Sequence, residues 1–159
     1  MKNHTIITLA VAAIIVDTIV GYRVLFSKNG GKYIRQWYKQ FTIGAYAMDI
    51  LSIIGGTYIA TLLTTSYYLQ LLVVVIIGLI HDTSFALFLN SVNTKSSNVL
   101  ELFKNYAKES GKIILLYDAL MLVSTLILSN YLFKNLSYNN TIFLGVLFSY
   151  LGLLMVYSF

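Results

Sequence analysis

The chain has 159 residues, of which 58% are hydrophobic and only 11% charged, with no cysteine and no proline. A soluble domain carries roughly a quarter charged residues, so this chain holds less than half the usual share and reads as a protein solvated by lipid. Without cysteine there are no disulfides, thiolate metal sites or palmitoyl anchors. The net charge of +5 lies in short segments between apolar runs, where membrane topology puts it, so no nucleic-acid partner is expected.

The periodicity and length of the apolar runs predict an all-α integral membrane bundle, one domain over residues 1–159. Five spanning helices are expected at about 5–26, 41–65, 68–89, 113–132 and 141–157. The first run is too long for a signal-peptide core of about 7–15 residues and reads as a retained span. Residues 27–40 form a polar connection in which Gly30–Gly31 reads as a helix stop and turn, followed by a basic, aromatic segment. In it Arg35, Trp37, Tyr38 and Lys39 are expected at the headgroup level, as an anchor or as a surface for anionic lipid or an acidic partner. The break near Ser66 is so short that the second and third spans must be antiparallel neighbours. In the second polar connection, residues 98–108 place Leu100, Phe103 and Ala107 on one side and Glu101, Lys104 and Lys108 on the others, the pattern of a short amphipathic surface helix. The fifth span is free of charge, and its Gly145 and Gly152 would let a neighbour approach closely. Proline, one common device for breaking transporter helices, is absent, although the ten glycines could serve.

Lys and Arg set the orientation. Arg23, Lys28, Lys32, Arg35, Lys39, Lys95, Lys104, Lys108 and Lys112 fall on one side of the bilayer, and only Lys2 and Lys134 on the other. This bias puts the N-terminus away from the cytoplasm. The Asn-X-Ser/Thr sequons at Asn3, Asn135 and Asn139 then lie outside, but close to helix ends in an Asn-rich chain, and are read as incidental.

Four spans each carry one aspartate: Asp17, Asp49, Asp82 and Asp118. Counted from the inner helix ends at 1.5 Å per residue, all four lie about 8–14 Å deep, which predicts one polar layer. Small residues on the same faces, such as Ala13 and Gly21 beside Asp17, or Gly78 and Ala86 beside Asp82, turn the acids toward other helices. The two halves of the chain also match in outline. IIVDTIVGYRVLF in the first span parallels IIGLIHDTSFALF in the third, YAMDIL parallels YDALML, and YIRQWYK parallels LFKNYAK. Duplication of a helical hairpin is one reading, giving a four-helix core with the fifth helix outside it; chance matching of short apolar windows is the other.

The acids admit three uses. They can fix helix packing through internal hydrogen bonds, with Arg23, Lys112, Tyr46, Tyr117, Thr18, Thr83 and His81 as donors; buried acids can instead stay protonated. They can form a proton or cation path, or a lipid-headgroup site. They can belong to a catalytic site, although no nucleophile elbow, phosphate loop or HExxH run is present and no catalytic residue is expected. His81 beside Asp82 is a poor metal pair, because adjacent helical residues diverge by about 100°. No metal or other cofactor is expected.

Several of these residues fall in a familiar order: Trp37–Tyr38 and Phe41, Asp49, His81–Asp82, FKNYAKESG at Phe103–Gly111, and YDALMLVS at Tyr117–Ser124. The order resembles that in small multi-pass membrane proteins encoded by giant viruses, the nucleocytoplasmic large DNA viruses. The similarity covers roughly residues 37–130 and departs from the group's Asp-Ser-Leu-Met-Met run at Ala119 and at Leu120–Met121–Leu122. The group brings no agreed activity. It implies a location, the internal membrane beneath an icosahedral capsid, either virion-borne or host-derived. The expected role is structural rather than enzymatic, that of an inner-membrane or minor capsid component. The expected partners are the bilayer and capsid or other virion proteins, with homo- or hetero-oligomers compatible with the sequence. The competing role is a small channel or proton-coupled transport element using the aspartates.

Overall fold

The structure is a computed structural model and describes residues 2–27, 31–93, 97–111 and 113–158, with the side chains of residues 2–5 left out. Expectations resting on Gly30, Lys28, Lys95, Lys112 or the Asn3 side chain fall outside the described residues. Seven helices account for nearly all of it, and no strand occurs among the described residues. In chain order they are α1 (Lys2–Phe26), α2 (Lys32–Phe41), α3 (Ile43–Leu63), α4 (Tyr67–Ser91), α5 (Asn98–Ser110), α6 (Ile113–Asn135) and α7 (Tyr138–Tyr157). Five are long and apolar enough to cross a bilayer, namely α1, α3, α4, α6 and α7. Large apolar side chains such as Leu62, Leu63, Leu69, Ile80, Leu87 and Phe143 stand on the outside of the bundle. In water such a surface would be an aggregation liability; in lipid it matches the solvent, and the protein is an integral membrane protein.

Local chemistry sets the breaks. Ser97 and Ser137 accept the Leu100 and Asn140 backbone N–H groups at the starts of α5 and α7, satisfying donors that a helix N-terminus leaves open. Gly111, at φ 54°, ends α5 where a side chain would be strained. Between α3 and α4 the turn closes on itself, Ser66 N–H donating to Thr64 Oγ1 (3.2 Å) and Gln70 Nε2 to the Thr64 carbonyl (2.8 Å). The two spans are the antiparallel neighbours that so short a connection demands.

Three features differ from the sequence expectation. Residues 32–41 form a separate helix, α2, and the second span begins only at Ile43. The elbow is Thr42, a β-branched residue at φ 46°, a backbone region such residues rarely enter. The helices α6 and α7 reach further outward than expected, to Asn135 and back to Tyr138, leaving only Leu136 and Ser137 between them. The fifth span, expected outside a four-helix core, packs along the full flank of α1. The centre of the bundle is α1 itself, enclosed by α3, α6 and α7, with Leu9, Ala12, Ala13 and Asp17 all essentially sealed. Small side chains on α1 and α7 allow this. Val11 sits where a Cβ on Gly145 would go, and the Tyr46 ring lies directly on Gly152.

The order span, amphipathic helix, span occurs twice, as α1–α2–α3 and as α4–α5–α6, with α2 packed on α5. Glu109 near the end of α5 accepts the backbone N–H groups of Lys32 and Tyr33 at 2.9 and 3.0 Å, and so caps the start of α2.

Candidate functional site

Each aspartate lies on the packing seam of its helix. On α4 the stripe Val74, Gly78, Asp82, Phe85 and Leu89 turns inward at helical spacing, and Asp118, Leu122, Thr125 and Ser129 do the same on α6. Asp49 continues the line of Tyr46, Ile53 and Thr57 on α3, and Asp17 is 2% exposed at the centre. The acids stand nine, six, nine and five residues from the inner ends Phe26, Ile43, Ser91 and Ile113, a depth of about 8–14 Å.

Around Asp17 the contacts are hydroxylic. Thr18 Oγ1 and Tyr46 Oη lie 2.7 Å apart, and Thr18 also reaches the Phe148 carbonyl at 3.4 Å. Asp17 Oδ2 is buried without a hydrogen-bond partner. Asp49 is the best-satisfied acid, with Tyr38 Oη donating to its Oδ2 at 2.6 Å. The Trp37 indole N–H lies close to the same carboxylate but outside hydrogen-bond geometry. Asp118 lies within electrostatic range of Asp82, Asp49 and the His81 imidazole, and Asp17 within range of Asp49. The four acids therefore form one electrostatically connected series across α1, α3, α6 and α4. Its outer end is Asp82, whose Oδ1 takes the His81 Nδ1 at 3.0 Å while Oδ2 is buried without a partner. The His81 side chain is 65% exposed, its ring parallel to that of Phe85 with centroids 6.4 Å apart.

Tyr38 and Tyr106, on the two short helices, close the layer from the end of the bundle that carries most of the basic residues. Burial first, and then the Asp49 charge, push the Tyr38 phenol well above its ordinary value, so it stays a donor. Tyr106 on α5 is raised in the same direction, by burial and then by Asp118. Trp37 and Tyr106 occupy matching places in YIRQWYK and LFKNYAK, and each approaches the aspartate of the third helix in its own half.

Arg35, Trp37, Tyr38 and Lys39 do not form one exposed patch. Trp37 and Tyr38 are buried, 6% and 3% exposed, in a cluster with Leu25, Ala45, Leu102 and Met155. Trp37 packs against Phe41 and Phe103 with ring centroids 4.7 and 4.6 Å away. The Arg35 guanidinium donates to the Ser27 carbonyl, and only Lys39 stays exposed. The reason is periodicity. Tyr33, Ile34, Trp37, Tyr38 and Phe41 recur at helical spacing and give α2 an apolar face that α1, α3 and α5 cover. Of the donors expected for the layer, Thr18 and Tyr46 bond each other beside Asp17, whereas Thr83, Tyr117 and Arg23 are exposed.

Outward of the acids, Leu9, Ala13, Ile53, Ala60, Val74, Leu122 and Leu126 pack into one apolar cluster. Beyond it the Ser129 hydroxyl donates to Thr8 at 3.0 Å. No group of three or more His, Asp or Glu side chains among the described residues is placed to hold a metal ion. Comparison with family models, with curated proteins and with solved structures returned no match.

Proposed function

We propose that this chain is a structural membrane protein. It is a closed helical bundle whose intramembrane acids lock four of the five spans in register. Its cytoplasmic helices α2 and α5 offer basic side chains to neighbouring proteins. Following the resemblance to giant-virus membrane proteins, the setting proposed is a viral internal membrane, as an inner-membrane or minor capsid component. The observation that carries the reading is the apolar cluster of Leu9, Ala13, Ile53, Val74, Leu122 and Leu126 on the outer side of the acids. Of polar side chains, the described residues outward of the acids bury only hydroxyls, those of Thr57, Thr125, Ser129, Thr8 and Thr141, and no further acid or base. Lys32, Lys39 and Lys108, exposed on α2 and α5, fit an acidic partner.

A second reading, a small proton- or cation-coupled transport element, is favoured by the unpartnered oxygens of Asp17 and Asp82. Buried acceptors without donors are rare and costly. Proteoliposomes decide between the two. The structural reading expects no pH- or cation-driven flux above empty vesicles, for the wild type and for Asp82→Asn alike. Flux that Asp82→Asn abolishes would sink it. Localisation tests the setting separately, since a protein found in ordinary cell membranes and absent from particles removes the virion proposal.

A further inference from the structure

The middle of α1 is enclosed, but its last turns come to the surface along one stripe, Ile19, Tyr22, Arg23 and Phe26, spaced i, i+3, i+4 and i+7. Beside it α7 exposes Leu151 and Leu154. Between the two stripes runs a groove of about 450 Å³, floored by Phe148 and Met155 and reaching from Thr18 to Ser158. The lining on α7 extends from Phe148 to Ser158, about 15 Å at 1.5 Å per residue, which is half of a hydrocarbon core of roughly 30 Å. The groove thus spans a single leaflet, on the side where the basic residues cluster.

Its chemistry changes along its length. The deep part is apolar. At the mouth stands Arg23, exposed, with no carboxylate among the described residues in ion-pair distance. The Tyr22 and Phe26 rings, tilted against each other with centroids 4.8 Å apart, border it. A second guanidinium, Arg35, is held at the same end of α1 by the Ser27 carbonyl. An apolar slot one leaflet long, with an exposed arginine at its mouth, complements one molecular class: an acyl chain carrying a phosphate without its own cation.

We propose that the α1–α7 groove is a binding site for an anionic phospholipid of the cytoplasmic leaflet, with one acyl chain along Ile19, Phe148, Leu151 and Leu154 and the phosphate on Arg23. The site uses none of the aspartates and does not rest on the proposed structural role, although Thr18, at its deep end, also bonds Tyr46 beside Asp17. Phosphatidylcholine, whose phosphate is already paired with its own ammonium, fits the slot but not the arginine.

The test is native mass spectrometry of the full chain, purified in detergent and offered equal amounts of phosphatidylglycerol and phosphatidylcholine with identical chains. Wild type should retain phosphatidylglycerol in preference to phosphatidylcholine. Arg23→Gln should lower its retention about fivefold, the weight of one basic residue at a membrane surface. Leu151→Trp, which fills the slot, should lower retention of both lipids, and Lys134→Gln at the far end of α6 should change neither. Circular dichroism checks that each variant keeps its helices. Glycerol phosphate, which has no chains, should not displace the lipid at the same concentration. Equal retention of the two lipids overturns the proposal, as does undiminished phosphatidylglycerol on Arg23→Gln, or displacement by glycerol phosphate alone. So does a disulfide between two copies of Leu151→Cys in nanodiscs, which would show a second chain in the groove.

Discussion

The helices α1 and α4 open the two halves of the chain with the same local text, an Asp-Thr pair followed by an aromatic and a Leu-Phe, and they end in opposite surroundings. On α1, Asp17 is 2% exposed and Thr18 bonds Tyr46 at 2.7 Å. On α4, Thr83 is exposed and Asp82 has His81, 65% exposed, at its side. The difference comes from company rather than from the motif. α1 is surrounded by α3, α6 and α7, whereas α4 meets α3, α5 and α6 on one side only. In lipid, as opposed to water, both solutions tolerate an all-round apolar helix, so a repeated sequence does not force a repeated burial. What the bilayer does not tolerate is a bare charge, and α4 supplies His81 where α1 supplies enclosure.

Matched substitutions can break this contrast. The largest effect is expected at the glycines. On Gly152→Ala the new methyl would occupy the place of the Tyr46 ring, which cannot swing aside without giving up Thr18. A loss of about 3 kcal/mol, the upper end for overpacking, should show in thermal unfolding in detergent. Gly78→Ala on α4 meets only the Leu122 Cδ1 methyl at 2.8 Å, the far end of a flexible side chain. It should cost less than half as much, and equal costs would mean that α4 is packed as tightly as the α3–α7 contact that helps to enclose α1.

Next comes Tyr38→Phe, which removes the 2.6 Å donor from the Asp49 carboxylate. About 2 kcal/mol is expected for a buried hydrogen bond to an acid, measured as a shift in denaturation midpoint. Thr18→Val should cost about 1 kcal/mol through the lost Tyr46 bond. Thr83→Val, exposed on α4, should be neutral within about 0.5 kcal/mol; a comparable loss at both threonines would erase the contrast between the helices.

The smallest expected effect is that of alkaline pH. The Tyr38 and Tyr106 phenols are raised above the ordinary value of 10.0. Their contribution is therefore complete below pH 10. Above it the unfolded chain ionises while the folded one keeps its protons, and stability declines. Unfolding temperatures followed from pH 9 to 12 should fall, and should fall less steeply in Tyr38→Phe.

The five spans and the depth of the acids are legible in the sequence, because apolar run length and residue counts from the helix ends are one-dimensional quantities. The inward turn of the acids is legible too, through Ala13, Gly21 and Gly78 on the same faces. The helix α2 hides behind its charges. Counting Lys32, Arg35 and Lys39 assigns the segment to the headgroups, while the stripe Tyr33, Ile34, Trp37, Tyr38 and Phe41 over the same residues spells a helix with a face to bury. The central place of α1 is not legible from apolarity, because a helix that touches protein and one that touches lipid have the same composition. Its run of small residues, Ala10, Ala12 and Ala13, is the one hint of close neighbours. His81 stays outside the layer that its neighbour joins, since one step along a helix turns a side chain by about 100°.

The enclosure of α1 has a consequence in time. Its contacts with α6 and α7 join residues made far apart, Thr18 to Phe148 across 130 positions and Thr8 to Ser129 across 121. At roughly 5–20 residues per second, a ribosome takes on the order of ten seconds to deliver the chain that covers Asp17. During that interval the first span stands in the insertion site or the bilayer with its acid uncovered, while α4, which never needs full cover, can settle as soon as it is made. Assembly of this bundle therefore leaves the Asp17 carboxylate uncovered until α7, made long after α1, closes over it.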